Sequence, residues 1–339
     1  MTSSRQGPRI RPRRMRRTDT IRRLVRETRL TPDRLVLPQF VVEGDGVCEP
    51  IGAMPGRARR SVDMTIAEVE EAMELGVRSF ALFAHVDDAK KSNDGREALN
   101  PDNLLCRTVR AVKQACPHAC LITDVALDPY SSMGHDGIVS DRGVIVNDET
   151  VAILAKMAVV QARAGADVVA PSDMMDGRVG AMRDALDDEG FCETAILSYT
   201  AKYASAFYGP FREALESAPV DAPNVPKDKK TYQMDPGNSR EAVLEAMLDE
   251  AEGADILMVK PGLPYLDIIS LLRQNSTLPI ATYHVSGEYA MVKAAAKLGW
   301  LDERECMCES LLAIARAGAD IIFTYAALDY ARWWRESPA

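Results

Sequence analysis

The sequence predicts a (β/α)8 barrel with an extended basic N-terminal arm, and three observations predict it. Eight short apolar runs of strand length alternate with stretches of helical periodicity across residues 35–327. Three helix-to-strand joints nearly repeat: Ala-Gly-Ala-Asp before Val168, Glu-Gly-Ala-Asp before Ile256 and Ala-Gly-Ala-Asp before Ile321. In each, glycine serves as the helix C-cap and the strand follows at once. Several runs also end in polar or charged residues, as expected where chemistry gathers at one rim of a barrel. A doubly wound open sheet is the alternative, but no glycine-rich phosphate turn follows the first run.

Taken in order, residues 1–34 form the arm. Residues 1–18 lack an apolar core and read as extended, and 19–29 as a short helix with Ile21, Leu24 and Val25 on one side. The strands are predicted at 35–42, 77–84, 119–127, 167–173, 195–202, 256–260, 279–286 and 321–327. Helical patterns between them include 66–75, 148–164, 239–252, 266–274 and 288–297. Residues 35–339 thus make the barrel. One connection, 203–237, is unusually long and proline-rich, which marks a lid or binding loop. It carries Tyr203, Tyr208, Phe211, Arg212, Lys229, Lys230 and Gln233, and its basic residues suit a carboxylate-bearing substrate.

Composition narrows the class. The chain has 339 residues, 47% of them hydrophobic, enough for one large barrel. No apolar run approaches a membrane span, so no membrane partner is expected. Seven scattered cysteines form no Cys-x-x-Cys pair, which reads as reduced thiols in a cytoplasmic compartment. Residues 1–29 hold eleven arginines against Asp19 and Glu27, a net +9, so the remainder carries −18 of the total −9. An acidic body repels phosphate and the arm lacks stacking aromatics, so a nucleic-acid partner is not expected. A targeting peptide usually brings an apolar segment or a Ser-rich amphipathic helix, and neither is clear in the arm, so docking on an acidic face of a second copy is favoured.

The strand ends supply the candidate site: Asp124 and Asp128, Ser172 and Asp173, Lys202, Lys260, Ser286 and Tyr325. Lys260 closes the run Ile-Leu-Met-Val-Lys before Pro261-Gly262. Taken alone it is either a snorkelling lysine or a buried amine with a lowered pKa, free to attack a carbonyl. Lys202 ends the preceding strand, and two nearby ammonium groups depress each other's pKa. The pairing favours carbonyl chemistry through a Schiff base. An iminium acidifies the neighbouring carbon, and Asp124 and Asp173 are the carboxylates placed to move protons. A class I aldolase-type barrel acting on a small keto acid is the alternative.

Six stretches together resemble the porphobilinogen synthase (5-aminolevulinate dehydratase) family: LITDVALDPYSSMGHDG (121–137), VVAPSDMMDGRV (168–179), SYTAKYASAFYGPFREA (198–214), TYQMDPGNSREA (231–242), MVKPGLPYLDI (258–268) and YHVSGEYAM (283–291). The resemblance implies condensation of two 5-aminolevulinate molecules to porphobilinogen with loss of two waters. It implies Schiff bases at Lys260 for the propionate-side substrate and at Lys202 for the acetate-side substrate. Ser286 and Tyr325 would hold one carboxylate, and Arg212, Lys229 and Gln233 the other, with Asp128, Asp136 and Ser172 also in the site. The basic segment resembles the arm that wraps a neighbouring subunit in the family's homo-octamer. Where zinc-dependent members carry three cysteines this chain has Ala126, Asp128 and Asp136, so no catalytic zinc is expected. A Mg²⁺ that stabilises assembly is implied at Glu245.

Overall fold

The computed structural model describes residues 9–336. Its centre is a closed barrel of eight parallel strands: β1 (Leu35–Val41), β4 (Ser79–Ala84), β5 (Cys120–Val125), β8 (Val168–Pro171), β9 (Ala195–Lys202), β10 (Ile256–Lys260), β11 (Ile280–His284) and β12 (Ile321–Thr324). Neighbours pair in that order, and β12 returns to β1 through Leu35–Ile322 and Val36–Phe323. Helices cover the outside and connect successive strands, so β1 is buried along its whole length.

All eight predicted strands are present, most of them shorter than predicted. The eighth stops at Thr324 because the helix Ala327–Glu336 begins almost at once. Two short hairpins were not anticipated: β2 (Cys48–Pro50) with β3 (Ala58–Arg60), and β6 (Ile138–Val139) with β7 (Ile145–Val146). Strands of two or three partly exposed residues carry no readable apolar alternation. In the arm, Pro12–Arg16 is a 3₁₀ turn rather than extended chain, with proline at its first position. The next helix spans Asp19–Leu24, shorter than expected, and the Thr18 hydroxyl accepts from the Ile21 amide at 3.2 Å. Ile10, Met15, Leu24 and Val25 are exposed among the arginines. Arg5 lies outside the described residues.

The repeated Gly-Ala-Asp joints have a structural reason. Gly165, Gly253 and Gly318 adopt φ of 108°, 100° and 126°, which glycine enters without steric cost. The aspartate that follows then reaches sideways. Asp167 accepts the Leu121 amide at 2.7 Å, Asp255 the Ile196 amide at 2.8 Å and Asp320 the Ile280 amide at 3.0 Å. Each carboxylate thus satisfies an amide at the start of the neighbouring strand, which fixes register at the barrel's N-terminal rim.

Candidate active site

Lys260 ends β10 and Lys202 ends β9, and the two are direct partners in the parallel ladder. A regular strand would put Tyr199 and Lys202, three residues apart, on opposite faces. The β9–β10 register shifts by one residue between Leu257 and Val259. This bulge lets Tyr199 and Lys202 both face the Lys260 side of the barrel.

Lys260 is buried, and four aromatic rings surround its Nζ. Tyr283 lies 4.5 Å away by ring centroid, Tyr199 and Phe211 5.1 Å, and Tyr208 5.2 Å. Its carbonyl is held from two sides, by the Tyr208 hydroxyl at 3.2 Å and the Tyr203 amide at 3.0 Å. Burial, and then the charge of Lys202, lower the Lys260 amine to a pKa of about 7. The carboxylates of Asp124, Asp128 and Asp136 oppose that shift without reversing it.

Lys202 has different surroundings. Its ammonium lies 3.1 Å from Asp136 and also donates to the Ser172 carbonyl. The other oxygen of Asp136 is 2.6 Å from Lys229, which reaches Asp128 at 3.2 Å. Burial alone would raise the Asp136 pKa, but the two ammonium groups hold it well below the usual carboxylate range. The stretch at 126–136 therefore supplies anions that orient lysines. Ala126 offers no donor at all, and Asp128 and Asp136 are already engaged.

Asp124 is half-buried, and its Oδ1 is shut off from solvent with no hydrogen-bond partner. Burial and then the Asp128 charge raise it to about 7, against the Ser172 hydroxyl and both lysines. A carboxyl poised near neutrality can give and take a proton. Asp173 has hydrogen-bond and ion-pair partners of its own. It accepts the Met175 amide at 2.7 Å and approaches the Arg178 guanidinium at 3.7 Å. Burial lifts it to about 6, and Arg178 limits the rise.

The remaining candidates fall into two sets. Ser286 accepts the Phe211 amide at 3.0 Å, and Tyr325 shares a 2.9 Å hydrogen bond with Tyr283, so each is bonded to a residue whose ring packs on Lys260. Arg212, Lys229 and Gln233 line a cavity with Asp128, Lys202, Tyr208 and Lys260. The cavity holds only about 30 Å³, closed by residues of the 203–237 segment. Glu245 is not in this group. It lines a neighbouring cleft of about 560 Å³ with Asp176, Asp235 and Glu241, and Gln233 borders both spaces. Sequence reasoning missed the aromatic cage as a unit, because the bulge hides Tyr199 and the other three rings lie on separate elements.

Two buried strand-end lysines, one caged by aromatic rings and one held by a carboxylate, are the equipment that carbonyl chemistry through a Schiff base requires of a (β/α)8 barrel. The family model described as delta-aminolevulinic acid dehydratase matches residues 9–333. The chain belongs to that family. It is 60% identical over 316 residues to the chloroplastic delta-aminolevulinic acid dehydratase of Oryza sativa subsp. japonica, covering 93% of this chain and 73% of that protein. Identity to the chloroplastic relative from Physcomitrium patens is 58% over 324 residues, covering 95% and 74%. Among solved structures, the Toxoplasma gondii ME49 delta-aminolevulinic acid dehydratase in complex with porphobilinogen superposes with a TM-score of 0.94 at 53% identity. That match covers 97% of this chain and 92% of the other. The cytoplasmic expectation is corrected by these relatives, which are named chloroplastic. Scattered reduced cysteines say only that a compartment is not oxidising, and so did not separate cytoplasm from plastid.

Proposed function

We propose that the protein condenses two molecules of 5-aminolevulinate into porphobilinogen, releasing two waters, in porphyrin biosynthesis. The observation that carries this is the Lys260–Lys202 ladder pair with its unequal surroundings. Near neutral pH much of the caged Lys260 amine lacks its proton. It adds to the ketone of one substrate, and loss of water gives an iminium. Lys202, oriented by Asp136, forms the second Schiff base. The iminium acidifies the adjacent carbon, Asp124 accepts and returns protons, and the ring forms as the lysines are released. Ser286 and Tyr325 bind the carboxylate of the Lys260-side substrate. Arg212, Lys229 and Gln233 bind the other, in keeping with their places around the cavity. Substrate entry requires Lys229 to leave Asp128 and Asp136, and the 203–237 segment to open as a lid.

Zinc is not part of this reading. Ala126 contributes no ligand, and the carboxylates of Asp128 and Asp136 face ammonium groups. Magnesium fits better at Glu245. The cleft there offers hard oxygen donors, and burial, opposed by the Arg178 charge and reinforced by Asp249, Asp176 and Glu241, raises Glu245 to about 7. No three acidic, histidine or cysteine side chains among the described residues form a direct ligand set, so Mg²⁺ would be held largely through its waters. Such an ion would neutralise the cleft and stabilise the assembly that contains it. The test is colorimetric: incubation with 5-aminolevulinate yields porphobilinogen, and a protein that yields none refutes the function. EDTA lowers the rate and Mg²⁺ restores it, while Glu245→Ala keeps a basal rate and loses the response. A Glu245→Ala protein that still responds to Mg²⁺ rules out this site.

The arm reads as a docking element for a homo-oligomer, with an octamer as the expected state. Its exposed arginines and apolar side chains face an acidic body of net charge −18 on the next copy. Deleting residues 1–20 should reduce the mass seen by light scattering toward that of a dimer. An unchanged mass refutes the docking role.

A further inference from the structure

Glu288 is fully buried, and its carboxylate accepts hydrogen bonds from three backbone amides. One carboxylate oxygen accepts from Leu263 at 2.5 Å. The other accepts from Gly262 at 3.2 Å and Val285 at 2.7 Å. The bond to Val285 is half of a capping box at the start of the helix Ser286–Lys297, where a glutamate at the third position reaches back to the cap amide. A helix cap does not account for the other two, which come from a different loop. Gly262 and Leu263 directly follow Lys260-Pro261, and Val285 directly precedes Ser286. The same corner also seats the long loop. Ser286 Oγ accepts the Phe211 amide, and a Cβ on Gly287 would lie 2.5 Å from the Phe207 carbonyl.

We propose that Glu288 is a positioning residue for Lys260. Its carboxylate clamps the loop after the nucleophile to the strand end that carries Ser286, and so sets the Lys260 amine relative to the carbonyl it attacks. Burial lifts the Glu288 pKa to about 7 while the three amides hold it down, and the ionised form suits this role because it accepts on both oxygens and donates nothing. Glutamine of the same shape would turn an NH2 toward an amide N–H, leaving buried donors unpaired. The proposal rests on the reading of Lys260 as the Schiff-base residue.

The test is Glu288→Gln with levulinate as carbonyl probe. The Lys260 amine adds to the ketone, water leaves, and borohydride delivers hydride to the C=N bond to give a stable secondary amine. Mass mapping of the Lys260 peptide yields an amplitude and a first-order rate constant. The amplitude follows the folded fraction, while the rate constant follows geometry within folded molecules. We expect the rate constant to fall roughly ten- to a hundredfold, the scale of a misplacement near 1 Å, with amplitude retained. A loss of amplitude at the wild-type rate constant would overturn the positioning role and leave a structural one. A wild-type protein that gives no Lys260 adduct would instead overturn the Schiff-base reading itself. Should Glu288→Gln not fold, Glu288→Asp keeps the charge but is one methylene too short to span both loops. It should slow the same rate constant, and a wild-type rate constant there overturns the proposal.

Discussion

Lys260→Met should lower turnover by at least about a thousandfold, the scale of losing a covalent nucleophile. Methionine is close in length and apolar, so it fits the space among Tyr199, Tyr208, Phe211 and Tyr283. Loss of activity can therefore be separated from loss of fold. A pH profile of wild-type trapping checks the cause: with the amine at about 7, adduct formation should rise through neutrality and level off above it. Stability gives a second check with a fixed sign. The folded pKa of Lys260 lies below its unfolded value, so burying the charged amine destabilises the fold fully below about pH 7. That penalty fades as pH climbs toward the unfolded value, about 10.4. Lys260→Met should thus gain stability over wild type, and gain more at pH 6 than at pH 9. An unaltered turnover, or a stability gain independent of pH, would remove Lys260 from the mechanism proposed here.

What the sequence made legible was whatever repeats or punctuates. The eight strands showed as apolar runs, and Lys202 and Lys260 showed because charge at a strand's last position breaks the pattern. The Gly-Ala-Asp joints were readable as caps, but the sideways reach of Asp167, Asp255 and Asp320 to neighbouring strands was not, since it depends on strand order. The β9 bulge was hidden for a related reason. A one-residue shift changes which side chains face inward without changing composition, so Tyr199 could not be assigned to the Lys260 cage. Asp173 sits in a motif next to Ser172 and read as a proton carrier. The partners that hold its carboxylate, Met175 and Arg178, lie further along the chain, on the approach to the next helix and in its first turn. Glu288 looked like any acidic residue early in a helix, because the loop it clamps arrives from 25 residues upstream.

The Arg178 network behind the site carries the second large effect. Arg178 is 2% exposed and sits between β9 and the helix Arg240–Ala251. Its guanidinium lies 3.2 Å from Asp249, 3.0 Å from the Ser198 hydroxyl and 3.3 Å from the Met175 carbonyl. Ser198 in turn donates to Asp249 at 2.6 Å. Arg178→Met leaves two buried carboxylates, Asp249 and Asp173, without their cation. Removing one partner of a buried pair costs about 3–5 kcal/mol, far more than the pair itself contributes, because the remaining charge is stranded. Urea denaturation at fixed protein concentration should show a loss of that size, the fixed concentration removing any mass-action shift from assembly. Adding Asp249→Leu should recover part of it, since an apolar pair strands one charge fewer. The recovery should be incomplete, because Asp173 still lacks its guanidinium. Its carboxyl, already raised to about 6 by burial, then rises further, so the remaining deficit should shrink on acidification as the group takes up its proton. A single variant that loses less than about 1 kcal/mol would mean that water reaches these carboxylates, and that the network does not hold Asp173 in place.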